Sequence, residues 1–127
     1  MVAILGVLAA LAVPRVGGAL DRAGVRGAVT EIETAFASAR SAAIGRQRRV
    51  TVDIRDDSAI VMVRSSRDTL HVRRLGAAYG VTLTSTRAAM SYLPAGLAWG
   101  AANLSIVVRR GAAVDTVVVS RLGRVRS

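Results

Sequence analysis

Three hydrophobic patterns divide the chain. Residues 2–13, VAILGVLAALAV, hold no charge and no strongly hydrogen-bonding side chain, so a helix there is apolar on every side, and the run stops at Pro14-Arg15. Over residues 20–45 apolar residues recur at spacings of three and four, at Val25, Val29, Ile32, Phe36, Ala39 and Ala43. Arg22, Arg26, Glu33 and Arg40 lie off that stripe and are expected in solvent. The spacing predicts an amphipathic helix that packs one face against its own protein. Gly17-Gly18 is a flexible spot between the two segments, and Pro14 need not separate them, since a proline in a membrane helix can kink it and leave it continuous.

From Arg49 the period falls to two. Val50, Val52 and Ile54 alternate with Thr51, Asp53 and Arg55, Asp56-Asp57-Ser58 supplies turn chemistry, and residues 59–64 run back as the second arm of a hairpin. Further strands are expected at 69–74, 81–84 and 90–93, the last ending at Pro94-Ala95-Gly96. Residues 104–109 and 114–120 form a second hairpin across Arg110-Gly111-Ala112-Ala113. One long helix followed only by strands predicts an α+β fold with an antiparallel sheet laid against the amphipathic half of the helix. Residues 1–18 are then the hydrophobic part of the helix, and 19–127 the globular domain.

The apolar run is too short to cross a bilayer by itself. As a helix it reaches roughly 18 Å against the ~30 Å of a hydrocarbon core. A secretory signal peptide would need a basic segment before the run and a small-residue cleavage site after it, and neither is present. Two readings remain: a buried core helix, or the lower part of a longer membrane anchor.

Composition changes the picture in three ways. Hydrophobic residues make up 52% of the chain but aromatics only 3%, so Val, Ile, Leu and Ala must fill the core. Cysteine is absent, which excludes a disulfide framework and thiolate metal sites. The net charge is +10, and all 18 basic residues are arginine. Guanidinium forks pair bidentately with phosphates, so this balance favours anionic partners such as nucleic acid or acidic membrane surfaces. Arginines dispersed over a solvated surface, in the Ala/Val/Gly-rich composition of a GC-rich genome, account for the same count.

No catalytic constellation stands out. His71 is the only histidine and falls in an expected strand, where exposure or an ordinary hydrogen bond is its usual role. Neither G-x-S-x-G nor G-x-x-x-x-G-K occurs. Asp53, Asp56 and Asp57 fall across a hairpin turn, where turn chemistry explains them better than a metal. No enzyme activity, cofactor, metal or small-molecule substrate is expected. Arg46, Arg48 and Arg49 crowd the end of the helix, where cations complement its dipole. Arg73-Arg74 and Arg109-Arg110 sit at strand ends. Arg121, Arg124 and Arg126 fill the tail, and Gly123 permits a tight turn that presents Arg124 and Arg126 on one side of an extended strand. With only Tyr79, Tyr92 and Trp99 available to stack on bases, any DNA would be held by its phosphates, with little sequence preference.

Four passages together resemble a known family. AILGVLAALAVPRV resembles the hydrophobic N-terminal helix of type IV pilins and type II secretion pseudopilins. The family's G-F-T-L-I-E cleavage motif and about eight residues of anchor are missing. Restoring them would bring the run to the ~20 residues that span a bilayer, and a start assigned too far downstream, or a truncation, would account for their absence. ARSAAIGRQRRVTVDI, residues 39–54, resembles the helix-to-first-strand passage of the minor-pilin subfamily that comprises the secretion pseudopilin H (GspH) and the pilus protein FimT. YLPAGLAWG is similar to its aromatic-x-Pro-x-Gly passage, with Tyr92, Pro94 and Gly96 in the matching places, and VVVSRLGRVRS resembles its closing strand and G-R-x-R ending.

The resemblance implies a minor pseudopilin anchored by a single-pass helix in the bacterial inner membrane, with its head in the periplasm. Val2, Ile4, Leu5, Val7, Leu8, Leu11, Val13 and Pro14 would face lipid first, and later the helices of other subunits in a type II secretion pseudopilus, with the head near the filament tip. The alternative it implies is a FimT-like minor pilin that binds DNA for natural transformation through Arg121, Gly123, Arg124 and Arg126. A free-standing soluble β domain with an incidental hydrophobic start is the reading of another class.

Overall fold

A single helix, α1 (Val2–Arg46), runs through Pro14 without a break and carries the rest of the molecule on its second half. The structure is a computed structural model that describes residues 2–66, 68–99 and 103–127, with side chains from Gly17 onward. The side chains of Val2, Ile4, Leu5, Val7, Leu8, Leu11, Val13 and Pro14 lie outside the described residues. All six residues of the expected stripe are buried, joined by Ala28 and Ala35. The small alanines let strands approach the helix axis closely, while Val29, Ile32 and Phe36 fill the space between. Arg22 and Arg26 are exposed as expected. Glu33 and Arg40 are not: both are half-buried, because the C-terminal turn folds back over this side of α1.

The helix ends in a Schellman-type closure. Gln47 turns into the left-handed region (φ 51°), its N–H donates to the Ile44 carbonyl at 3.4 Å, and the Arg48 N–H reaches the Ala43 carbonyl at 3.3 Å.

The strands follow as β1 (Val50–Arg55), β2 (Ile60–Ser65) and β3 (Asp68–Arg74), then a short helix α2 (Leu75–Tyr79), and then β4 (Thr82–Ser85) and β5 (Ala89–Tyr92). The chain closes with β6 (Ala98–Trp99), β7 (Leu104–Arg110), β8 (Ala113–Val119) and β9 (Val125–Arg126). Every expected strand is present within a residue or two. The single antiparallel sheet of the sequence reading resolves into two, ordered β3-β2-β1-β5-β6 and β4-β7-β8-β9. Period-two alternation records which residues face inward but not which strands pair. Here β4 joins β7, with Thr82 opposite Arg109, while β5 returns to β1, with Tyr92 opposite Val50. Both sheets turn their apolar faces to α1. Val50, Val52 and Ile54 come from one, Ile106, Val108 and Val117 from the other.

The tight β7–β8 turn uses Gly111 at φ 56°, the backbone that two-residue hairpins demand. Arg110, just before it, donates to Asp21 at 3.1 Å and to the Tyr79 carbonyl at 2.8 Å, which ties this hairpin to α1 and α2. Arg73 pairs with Glu31 at 3.2 Å, and the Tyr79 hydroxyl donates to the same carboxylate at 3.3 Å. These contacts dock α2 on α1, and glycine makes the approach possible. A Cβ at Gly24 would stand 2.8 Å from the Tyr79 carbonyl oxygen and 2.9 Å from Arg110 Cδ, and the Tyr79 ring lies over Gly27. Gly24→Ala is therefore expected to lower stability by about 1 kcal/mol. Overpacking against a backbone atom costs ~1–3 kcal/mol, and the ~1 kcal/mol by which alanine outranks glycine in a helix only partly offsets it. Thermal denaturation checks this, and a raised melting temperature would mean that α2 does not sit on α1.

Candidate functional surfaces

The tail is a hairpin rather than a straight closing strand. After β8 the Gly123 N–H donates to the Ser120 carbonyl at 2.9 Å, and the Ser120 N–H to the Arg124 carbonyl at 2.8 Å, so the chain reverses and β9 pairs back on β8 with Val119 opposite Val125. Gly123 sits at φ 82°, where a side chain would be strained, and is buried. A Cβ there would lie 2.9 Å from the Gly96 carbonyl oxygen and 3.0 Å from Tyr92 Cε1. The Tyr92 hydroxyl donates to the Gly123 carbonyl at 3.3 Å. The Tyr92-x-Pro94-x-Gly96 passage and the G-R-x-R tail thus pack on each other in space.

This reversal lays the tail beside α1. A groove of about 740 Å³ runs between them, bordered by Glu33, Ala37 and Arg40 of the helix and by Arg124, Val125 and Arg126 of the tail. Of the three tail arginines of the sequence reading, Arg124 and Arg126 meet here. Arg121 does not border the groove, and its backbone N–H donates to the Asn103 side chain at 3.2 Å. The third arginine of the groove is instead Arg40. Its Nε is buried without a hydrogen-bond partner among the described residues, and it would stand 3.3 Å from a Cβ at Gly96. Its charge also reaches Tyr92: burial pushes the Tyr92 phenol up to about 12, and the Arg40 guanidinium works against that rise. Chemically the groove offers guanidinium donors to an oxyanion, with Glu33 as the opposing charge. Arg40 was missed because helical periodicity places it beside the stripe and is silent about the tail that later covers it.

The other singled-out residues do simpler work. Asp53 pairs with Arg64 across β1 and β2. The Asp56 carboxylate accepts the N–H and hydroxyl of Ser85 at 3.0 and 2.9 Å, which joins the first hairpin to β4. Asp57 accepts from Ser58 at 3.3 Å. His71 is exposed on β3. Among the described residues no group of three His, Cys, Asp or Glu side chains could hold a metal ion, and no helix is long and apolar enough to cross a membrane.

Comparison with known proteins gives these features a setting. The family described as "Type II transport protein GspH" matches residues 28–123. Among solved structures, the type IV minor pilin FimU of Pseudomonas aeruginosa (strain PAO1) superposes with a TM-score of 0.70 at 14% identity, over 83% of this chain and 88% of that one. The minor pseudopilin EpsH from the Type 2 Secretion System of Vibrio cholerae superposes with a TM-score of 0.62 at 12% identity, over 80% of this chain and 94% of that one. At such identities the likeness shows the fold, a long N-terminal helix followed by antiparallel sheets. No curated protein sequence matches.

Proposed function

Because the chain belongs to the GspH family of type II transport proteins and carries the fold of minor pilins and pseudopilins, we propose that it is a minor pseudopilin, a structural subunit of a type II secretion pseudopilus. The observation that carries this reading is the division of labour along α1. Among the described residues its head-facing stripe begins at Val25, and the sequence ahead of it is apolar on every side over residues 2–13. A surface that is apolar all round serves lipid first and the helices of neighbouring subunits later, through van der Waals packing in both settings. In this reading Val2, Ile4, Leu5, Val7, Leu8, Leu11, Val13 and Pro14 are the lower part of an inner-membrane anchor, the head stands in the periplasm, and the subunit sits near the filament tip. It works by assembly, with no reaction of its own.

Cell fractionation tests it. Expressed together with its upstream coding sequence, the protein is expected in the inner-membrane fraction and to need detergent for extraction. A version that begins at Ala19 is expected to be soluble and folded. If that version aggregates while the chain from Met1 stays in solution, residues 2–13 are core and the anchor reading is wrong. Genes for a secretin and an assembly ATPase beside this one would favour secretion, and competence genes would favour DNA uptake.

One observation favours the second reading, a FimT-like minor pilin that binds DNA. Arg124 and Arg126 share a groove with Arg40, three guanidinium groups on one side of the molecule. If they hold phosphates, double-stranded DNA should bind weakly and without sequence preference, each contact adding about 0.9 to the slope of log affinity against log salt. Arg124→Gln with Arg126→Gln should then weaken binding and reduce that slope by up to about two. An equal loss on neutralising Arg73 and Arg74 would instead mark diffuse attraction to a +10 surface.

A further inference from the structure

We propose that the cleft where α1 enters the head holds the headgroup of a phospholipid that carries both a phosphate and a primary amine. The proposal rests on the membrane-anchor reading above and adds to it a lipid contact made by the head.

A cavity of about 450 Å³ opens between α1, where it enters the head, and the start of β8. Its volume falls in the ~300–1,000 Å³ range of small-ligand sites. Gly18, Arg22 and Arg26 border it from the helix, each one turn from the next, and Val114 and Asp115 border it from the strand. Arg22 leans back along the helix toward the anchor: a Cβ at Gly18 would stand 3.6 Å from Arg22 Nη1. Its guanidinium is therefore close to the level of Gly18. That residue lies roughly 8 Å along the helix beyond Val13, where the apolar run ends. The polar layer of a bilayer adds roughly 5–8 Å on each side of the hydrocarbon core. With the run set in that core, Arg22 reaches the depth of the lipid headgroups.

The charges of the cleft match a zwitterion rather than a bare anion. Arg22 and Arg26 border it together with Asp21 and Asp115. The ion pairs among the described residues join Asp53 to Arg64, Glu31 to Arg73 and Asp21 to Arg110. Asp21 is thus taken up, whereas Arg22, Arg26 and Asp115 stand outside all three pairs and are exposed. Two guanidiniums are left for a phosphate and one carboxylate for an ammonium, and charge-assisted hydrogen bonds suit both. Val114, 51% exposed, adds an aliphatic wall for the glycerol end of the lipid.

Other occupants fit less well. An anionic headgroup without an amine would bring its charge against the Asp115 carboxylate. A choline headgroup has a cation but no N–H to donate to that carboxylate. Duplex DNA would meet the same carboxylates, and in the anchor reading this end of the head faces the bilayer.

The full chain, expressed with its upstream coding sequence and purified in neutral detergent, is mixed with phosphatidylethanolamine, phosphatidylcholine or phosphatidylglycerol. Native mass spectrometry then counts the lipids it retains. One phosphatidylethanolamine per chain is expected, held about tenfold more tightly than either of the others. Arg22→Gln should weaken that binding about tenfold, and Asp115→Asn should abolish the preference over phosphatidylcholine. Arg48→Gln removes the same charge just past the far end of α1 and should change nothing. Far-UV circular dichroism checks that each variant is folded. The proposal is overturned if the three lipids are retained alike, or if Arg48→Gln weakens binding as much as Arg22→Gln. It is equally overturned if inorganic phosphate displaces the lipid, which would make the ligand a free anion, or if a second copy of the chain is retained in an Arg22-dependent way in place of lipid. Lost selectivity with unchanged membrane fractionation removes the lipid site alone, whereas loss of membrane fractionation removes the anchor reading.

Discussion

Replacing Phe36 by alanine is expected to cost about 3–5 kcal/mol, the usual range for truncating an aromatic residue in a packed core. Phe36 is fully buried, on the face of α1 that meets the sheets, and its ring stands edge-on to Tyr92 with centroids 6.5 Å apart. With so few aromatics in the chain, the small alanines around it leave few side chains able to collapse into the vacated space, so the cavity term stays large. A domain of this size has only about 5–15 kcal/mol of net stability to lose. Chemical denaturation should therefore show a much lower midpoint. Thr34→Ala, on the exposed side of the same helix, should stay within about 0.5 kcal/mol of the parent. A Phe36→Ala protein that melts with its parent would mean that α1 packs by another face.

How much of this was legible depended on element length. The stripe from Val25 to Ala43 repeats often enough for its face to be read outright, and all six residues are buried. The β1–β2 and β7–β8 hairpins were equally plain, because alternation and turn residues agree there. By contrast β6 and β9 are two residues each, too short for any period to show, and α2 is little more than one helical turn, too short for a helical period to repeat. The two-sheet arrangement was hidden for another reason. Only three residues separate β4 from β5, yet each pairs in a different sheet, and the inward-facing pattern is the same either way.

The site was half legible. Gly123 marked the tail as a turn, and its φ of 82° agrees. That the turn would carry Arg124 and Arg126 onto α1 depends on long-range contacts with Tyr92 and Gly96, thirty or so residues away, which no local pattern encodes. Arg40 belongs to the same gap. An arginine at the border of an apolar stripe reads as solvated until the element that covers it is known.

Between pH ~10 and ~12 the protein is expected to lose stability through Tyr92, by up to about 2–3 kcal/mol. Tyr92 is fully buried and its hydroxyl donates to the Gly123 carbonyl, an interaction available only to the protonated form. Burial raises its phenol to about 12 in the folded protein, against ~10 in an unfolded chain. Within that window the folded state keeps a proton that the unfolded state releases, so raising the pH favours unfolding. The stabilisation is whole below pH ~10 and is lost as pH climbs through about 12. Denaturant titrations at stepped pH would show the slope, and phenolate absorbance would follow the ionisation itself. Tyr92→Phe should flatten most of this slope, whereas Tyr79→Phe should leave it largely in place, since Tyr79 is only half-buried. Arg40→Gln provides a second check on the groove: its cation opposes the rise at Tyr92, so removing it should move the ionisation to still higher pH. If Tyr92→Phe retains the parent's alkaline slope, the buried phenol is not its source, and the packing of the tail against Tyr92 and Gly96 would have to be revised.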